Sequence, residues 1–283
     1  MQGEQSNGLI GAKSVFDNRI GRRDFLQLAG LSSAVISAGI AAPAAAQSSA
    51  GSGIAIGSSA GDWSKTDLFG LGVASGTPQA ESMILWTRLA PDPLAPDGHG
   101  GMPQRNVVVH WEVAAAEDEA FSAPVATGTA LAQPELAHSV HPQVTGLKPR
   151  TEYRYRFRVG NQISPVGRFK TLPMPEEEVE QFSFAVASCQ AWYHGHFTAW
   201  RHLTRENIDL ILFVGDYIYE YAISKEDNLR RQGVEVPELF AQTVQTLEQY
   251  RLRYSLFKSD KHLQAGHAKA PMAVIWDDHE VEN

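Results

Sequence analysis

The sequence predicts an all-β sandwich followed by an α/β domain with a parallel sheet. Three observations lead there. Between Phe69 and Thr171, short runs alternate apolar and polar residues and are broken by turn signals. After residue 181, short continuous apolar runs alternate with stretches of helical spacing. Between the two lies Pro173–Glu180, a Pro-containing acidic connector with four Glu. A length of 283 residues exceeds one average domain. Apolar residues at 43% and charged residues at 20% suit a globular protein and exclude disorder over most of the chain. The net charge of −8 offers no basic field for a phosphodiester backbone, so no nucleic-acid-binding footprint is present. One cysteine, Cys189, excludes an internal disulfide framework.

The amino terminus reads as an export signal over residues 1–46. Arg22 and Arg23 precede a weakly apolar run from Leu26 to about Ile40, and Ala44-Ala45-Ala46 offers a small-residue cleavage site. This resembles a twin-arginine (Tat) signal, with Gly21 where Ser or Thr is common and Gln27 where Lys is common. The resemblance implies the Tat translocase as a transient partner and a periplasmic or extracellular destination. A membrane span is less favoured, because Gly30, Gly39 and Pro43 interrupt the run. Residues 47–64, rich in Gly, Ser and Ala, read as a flexible linker.

Within 65–173, Ser82–Arg88 and Val107–Ala114 are β-branched and aromatic and read as strands. In Thr151–Val159, Tyr153, Tyr155, Phe157 and Val159 point one way, while Glu152, Arg154, Arg156 and Arg158 point the other. Leu147-Lys148-Pro149-Arg150-Thr151-Glu152-Tyr153 resembles the tyrosine corner of fibronectin type III sandwiches. Phe169–Thr171 would be the last strand. No clustered catalytic groups fall in this region, which reads as a spacer or packing module.

Residues 181–283 change pattern. Phe182–Ser188 is expected to be a strand buried on both faces. Residues 196–206 read as a helix, Leu210–Val214 as a second buried strand, Thr243–Phe257 as a helix, and Met272–Trp276 as a third strand. This order predicts parallel pairing with right-handed crossovers. Ligands of such sheets bind beyond the carboxyl ends of the strands. Those ends carry Ser188-Cys189-Gln190, Gly215-Asp216-Tyr217-Ile218-Tyr219-Glu220-Tyr221 and Asp277-Asp278-His279-Glu280.

Asp216 follows a glycine that permits a sharp turn, and its carboxylate can bridge two metal ions; a helix N-cap is its bland alternative. Cys189, a small buried hydrophobe in most contexts, would as a soft thiolate favour iron or zinc. Tyr217, Tyr219 and Tyr221 alternate, as an amphipathic rim with two of the three packed in the core would. Asp277-Asp278-His279 is too acidic to lie buried without a cation. His194 and His196 read as polar loop residues.

Ala187–Gln190, Phe197–Leu203, Gly215–Tyr221, Tyr250–Asp260 and Trp276–Asn283 resemble the PhoD family, the alkaline phosphatase D group of the calcineurin-like metallophosphoesterases. The resemblance runs from about Phe69 to Asn283. It implies a fibronectin type III-like sandwich followed by the first half of an α/β metallophosphoesterase domain. It also implies an exported phosphoric ester hydrolase acting on phosphodiesters and phosphomonoesters, including cell-wall or lipid phosphates. Hydroxide activated by Fe3+ and Ca2+ would be the nucleophile, with other divalent metals open. Cys189 and Tyr219 would ligate iron, Asp216 would bridge, Asp278 would serve the second site with Asp277 as an extra ligand, and His279 would face the phosphate. The chain stops directly after the third ligand strand, where family members continue, so an amino-terminal fragment is expected. Two alternatives stay open: a phospholipase D-type phosphodiesterase, and a truncated, inactive secreted binding module.

Overall fold

The structure is a computed structural model that describes residues 66–226 and 228–283. The export signal, and the linker up to residue 64, lie outside the described residues. Among the described residues, twelve strands form two mixed or antiparallel sheets. They are β1 (Val73–Gly76), β2 (Ser82–Arg88), β3 (Val107–Ala115), β4 (Ala126–Ala132), β5 (Ser139–Val140) and β6 (Gln143–Thr145), then β7 (Glu152–Val159), β8 (Gln162–Ile163), β9 (Gly167–Lys170), β10 (Phe184–Ala187), β11 (Leu210–Val214) and β12 (Met272–Ile275). The α-helices among the described residues are α1 (Thr198–Leu203), α2 (Leu247–Lys258) and α3 (Lys261–Lys269).

The smaller sheet runs β4-β3-β7-β8, with β9 also paired to β7. Its inner face is the alternating side of β7, where Tyr153, Tyr155, Phe157 and Val159 are buried. They pack on Met83, Leu85, Val109 and Val113 in one apolar cluster. Each such side chain contributes about 1.5–3 kcal/mol when fully removed from water. The Tyr153 hydroxyl accepts the Lys148 N–H at 2.9 Å, the corner contact that the Leu-x-Pro-x-Thr-x-Tyr run calls for.

The larger sheet runs β10-β11-β12-β1-β2-β5, with β6 paired to β2. β10, β11 and β12 are parallel, and β12 continues in parallel onto β1 through Gly76 and Met272. One sheet therefore joins the sandwich to the α/β half. Register places Ala185, Ile211, Phe213 and Met272 on one face, against which Trp200, Leu252, Leu256, Phe257 and Leu263 of the three helices pack. Trp200 stacks on Phe213 at 6.2 Å between centroids. Gly266 on α3 is required there, because a Cβ would stand 2.4 Å from the Trp200 ring.

The opposite face corrects one expectation. Phe182–Ser188 was to be buried on both sides, yet Val186 is 60% exposed and Phe184 45%. Val214 and Ile275 on the same face are also exposed. Over β1 and β2 this face is covered by the smaller sheet; over β10–β12 it is buried at Leu210 but open at Phe184, Val186, Val214 and Ile275. Two helices also differ from expectation. The helix expected from Thr243 starts at Leu247, because Thr246 forms a capping box: its Oγ1 accepts the Gln249 N–H at 3.3 Å and Gln249 Oε1 accepts the Thr246 N–H at 3.0 Å. The helix expected over 196–206 is confined to Thr198–Leu203, where the Thr204 hydroxyl donates to the Arg201 carbonyl at 2.8 Å.

Candidate metal centre

The carboxyl ends of β10, β11 and β12 turn toward one another through unusual backbone. Gly215 has φ +91°, Asp216 φ +57° and Cys189 φ +55°. A Cβ on Gly215 would lie 2.4 Å from Asp277 Cβ, so only glycine lets β11 pass the β12 turn at this distance. The Cys189 N–H donates to the Gly215 carbonyl, and the Gln190 N–H to the Asp216 carbonyl, both at 3.2 Å. The β11 and β12 turns are tied by Glu280, which is buried. Its Oε2 accepts the N–H of Asp277 at 2.8 Å and of Asp216 at 3.2 Å, while Oε1 accepts that of Tyr217.

This frame gathers Asp216, Asp278 and His279. One ligand atom of each lies within 4.8 Å of the others, the one grouping suited to a metal ion among the described residues. Asp216 is buried; its Oδ2 accepts the Tyr219 hydroxyl at 3.0 Å, and its Oδ1 is buried with no partner. A buried carboxylate oxygen without a donor costs about 1–3 kcal/mol or more, which a cation would relieve. Asp278 is exposed. His279 is buried, and its Nδ1 lies 2.8 Å from Glu220 Oε2. Burial works against its charged form, but the Glu220 hydrogen bond and charge, helped by Asp216 and Asp278, outweigh it and raise the imidazole pKa. Tyr219 and Tyr221 flank the ring, with centroids 4.1 and 5.1 Å away.

The remaining expected residues stand at different distances from this cluster. Tyr219 is half-buried. Burial, the bond to Asp216 and the neighbouring Cys189 hold its phenol pKa well above the usual value, so the protonated form is the stable one without a cation. Cys189 is exposed, beside Tyr219 but outside the three-residue grouping. Asp277 is also outside it and exposed. Asp216 caps no helix. Of the three tyrosines, only Tyr217 is fully in the core, where its hydroxyl meets His267 Nε2 at 2.8 Å. His196 sits on the exposed loop, its Nε2 3.2 Å from the Gln232 carbonyl, and His194 is exposed nearby.

Four residues gain roles that sequence reasoning had not assigned. Glu220 and Glu280 act as described. Gln190, buried, donates to the Tyr217 carbonyl at 3.1 Å and accepts the Trp200 indole N–H at 2.9 Å. Arg253 is almost fully buried and donates to the carbonyls of Tyr219 at 2.5 Å and Tyr221 at 2.6 Å. Burial lowers its pKa to about 10. The only forewarning in the sequence was the helical spacing that points Arg253 inward beside Leu252 and Leu256.

A mixed sheet with a carboxylate–imidazole cluster at its carboxyl edge defines an α/β protein with a candidate metal site. Residues 184–283 match the PhoD-like phosphatase profile, and residues 55–173 match that of the PhoD-like phosphatase amino-terminal domain. The chain belongs to the PhoD-like phosphatase family. Alkaline phosphatase D of Bacillus subtilis (strain 168) is 49% identical over 219 residues, covering 76% of this chain and 36% of that protein. A solved structure of PhoD superposes with a TM-score of 0.69 at 49% identity, over 77% of this chain and 40% of that one. The chain thus spans well under half the length of the relatives it matches.

Proposed function

We propose that the chain carries the first ligand-bearing part of a metal-dependent phosphoesterase centre, and that the enzyme it represents hydrolyses phosphate monoesters and diesters. The observation that carries this reading is the unpartnered, buried Asp216 Oδ1 beside Asp278 and His279. Family membership implies a metal cofactor, and the donor set fits one. Asp216, Cys189 and Tyr219 would hold iron as Fe3+; Asp216 and Asp278, with Asp277 in reserve, would hold Ca2+ or another divalent ion. When bound, such ions supply Lewis acidity and lower the pKa of a coordinated water from 15.7 to about 7.

The residues of the chain do the rest. Asp216 keeps one oxygen free because Tyr219 engages only the other. Glu280 fixes the spacing between the Asp216 and Asp278 turns. Glu220 engages His279 Nδ1, so the ring exchanges protons at Nε2; a positively charged His279 can there donate to a phosphoryl oxygen or to a leaving alkoxide. Arg253 holds the Tyr219–Tyr221 backbone, and with it the phenol and the rings that flank His279.

Residues 65–173 form a fibronectin III-like sandwich, supported by the Tyr153 corner contact. Residues 181–283 form the amino-terminal part of the phosphoesterase domain, and residues 1–46 a Tat signal that directs the protein to the periplasm or outside the cell. Arg22→Lys with Arg23→Lys should block export of a reporter fusion.

Metal content by inductively coupled plasma mass spectrometry tests the centre, alongside turnover of p-nitrophenyl phosphate and bis-p-nitrophenyl phosphate. Asp216→Asn should lose metal and any turnover together. Unchanged metal content in that variant would overturn the assignment.

A further inference from the structure

Between β2, the segment from Glu135 to His141, and α2 lies a pocket of about 610 Å³. That is within the usual range, about 300–1,000 Å³, for sites that enclose a small organic ligand. None of its lining residues belongs to the Asp216–Asp278–His279 cluster. Its walls are largely apolar, with Trp86, Leu71, Leu136 and Tyr254 among them, and the lining holds more cations than acids: Arg88, Arg251 and Lys258 against Glu135 alone.

Two of the three cations are already engaged. Arg88 spends its guanidinium on the Ala137 carbonyl at 2.9 Å, Ser255 Oγ at 2.8 Å and the Gly98 carbonyl at 2.6 Å. Arg251 donates to the Glu135 carbonyl at 2.5 Å. Lys258 is different. Its Nζ lies 4.0 Å from the centre of the Trp86 ring and 5.6 Å from that of Tyr217, and it makes no hydrogen bond or ion pair among the described residues. Two ring faces give the ammonium only weak compensation. Burial lowers its pKa to about 7, and no acid counters the shift. His141, on the same lining, is likewise pushed down by burial and by Lys258. A built cationic group with three donors and no acceptor, at the end of an aromatic pocket, is complementary to an anion carried on an apolar body.

We propose that this pocket is a second ligand site, distinct from the metal centre, that binds a small aromatic or branched-aliphatic carboxylate or phosphate through Lys258 and Trp86. The anionic head pairs with Lys258, and the apolar body lies along Trp86 and Tyr254.

The test is calorimetric titration of the purified chain with 2-naphthoate, with neutral 2-naphthalenemethanol as the control. A carboxylate probe is chosen because a phosphate ester would also report on the metal centre, so the two readings fail separately. The expected result is one-to-one binding of naphthoate, weakened about tenfold or more in Lys258→Met, with the alcohol bound equally weakly by both proteins. His141→Gln, which leaves the lysine in place, provides a second variant with a smaller loss should Lys258→Met fold poorly. Binding of naphthoate that is unchanged in both variants, or no binding at all, would overturn the proposal. Equal affinity for acid and alcohol would do the same, since it would show adsorption to apolar surface without the charge.

Discussion

Replacing Glu280 by glutamine changes one atom of the side chain and should loosen the whole candidate centre. In the native protein Oε2 accepts two backbone N–H groups, from Asp277 and Asp216, and Oε1 accepts a third from Tyr217. The amide of glutamine keeps its oxygen where two donors converge, which turns its NH2 toward the Tyr217 N–H. One charge-assisted bond of about 1.5–3 kcal/mol is lost, and a buried donor is left facing a donor at a further cost of about 1–3 kcal/mol. Removing a buried carboxylate from beside Asp216 and Asp278 returns part of this. The expected net loss is about 2–4 kcal/mol. Urea unfolding followed by fluorescence would read it, with Glu282→Gln, at an exposed position, as the control. Metal affinity should fall in parallel, because Asp216 and Asp278 lose their common anchor. A Glu280→Gln midpoint indistinguishable from the control would refute the view that this carboxylate holds the β11 and β12 turns together.

Gly215→Ala must strain a backbone at φ +91° and push a Cβ to 2.4 Å from Asp277, so it should lose about 2–5 kcal/mol by urea melt, whereas Gly195→Ala, with open space around it, should be near neutral. Arg253→Met should unpin Tyr219 and Tyr221, lowering stability by about 3 kcal/mol or more and broadening the near-ultraviolet circular dichroism of the aromatic cluster. Lys258 has a folded pKa near 7, below its unfolded value of 10.5, so the unfolded chain binds the extra proton between those values and ligand-free stability should rise with pH from 7 toward 10. Lys258→Met should remove that rise when denaturant midpoints of the two proteins are compared across a series from pH 7 to pH 10, with the same His141, His267, Arg88, Arg251, Glu135, Tyr217 and Tyr254 around the site in both. Val186→Lys with Ile275→Lys should reduce self-association seen by light scattering, because both side chains stand exposed, with Phe184 and Val214, on one apolar face of β10–β12.

Much of this was legible in the sequence where the signal is local. The alternation of β7 fixed which residues face the sandwich core, and Ser82–Arg88 is a strand at those same bounds. The strand-end rule brought out Asp216, Asp278 and His279, because a parallel sheet delivers its carboxyl ends to one edge. Burial of β10 was misjudged for a physical reason: a run such as Phe184–Ala187 shows that a strand suits apolar neighbours on both faces, not that both faces meet them. Glu280 and Glu220 escaped notice because their roles come from backbone amides and an imidazole some 60 residues away. In the sequence each is one more acid in an acidic stretch.

The single sheet that runs from β10 through β12 into β1 and β2 also bears on how the chain reaches its native state. Its cross-links are distant in sequence: the Gln264 amide donates to the Gly70 carbonyl 194 residues away, and Arg88 meets Ser255 across 167. Such contacts raise the contact order, and their loop-closure entropy must be met before any pairing compensates it. On a ribosome, β1 can pair with β2 as soon as both have left the tunnel, but β12, its parallel neighbour on the other side, is made much later. The sandwich must therefore wait with one edge open, and the seam between β1 and β12 is the step most exposed to wrong partners during synthesis.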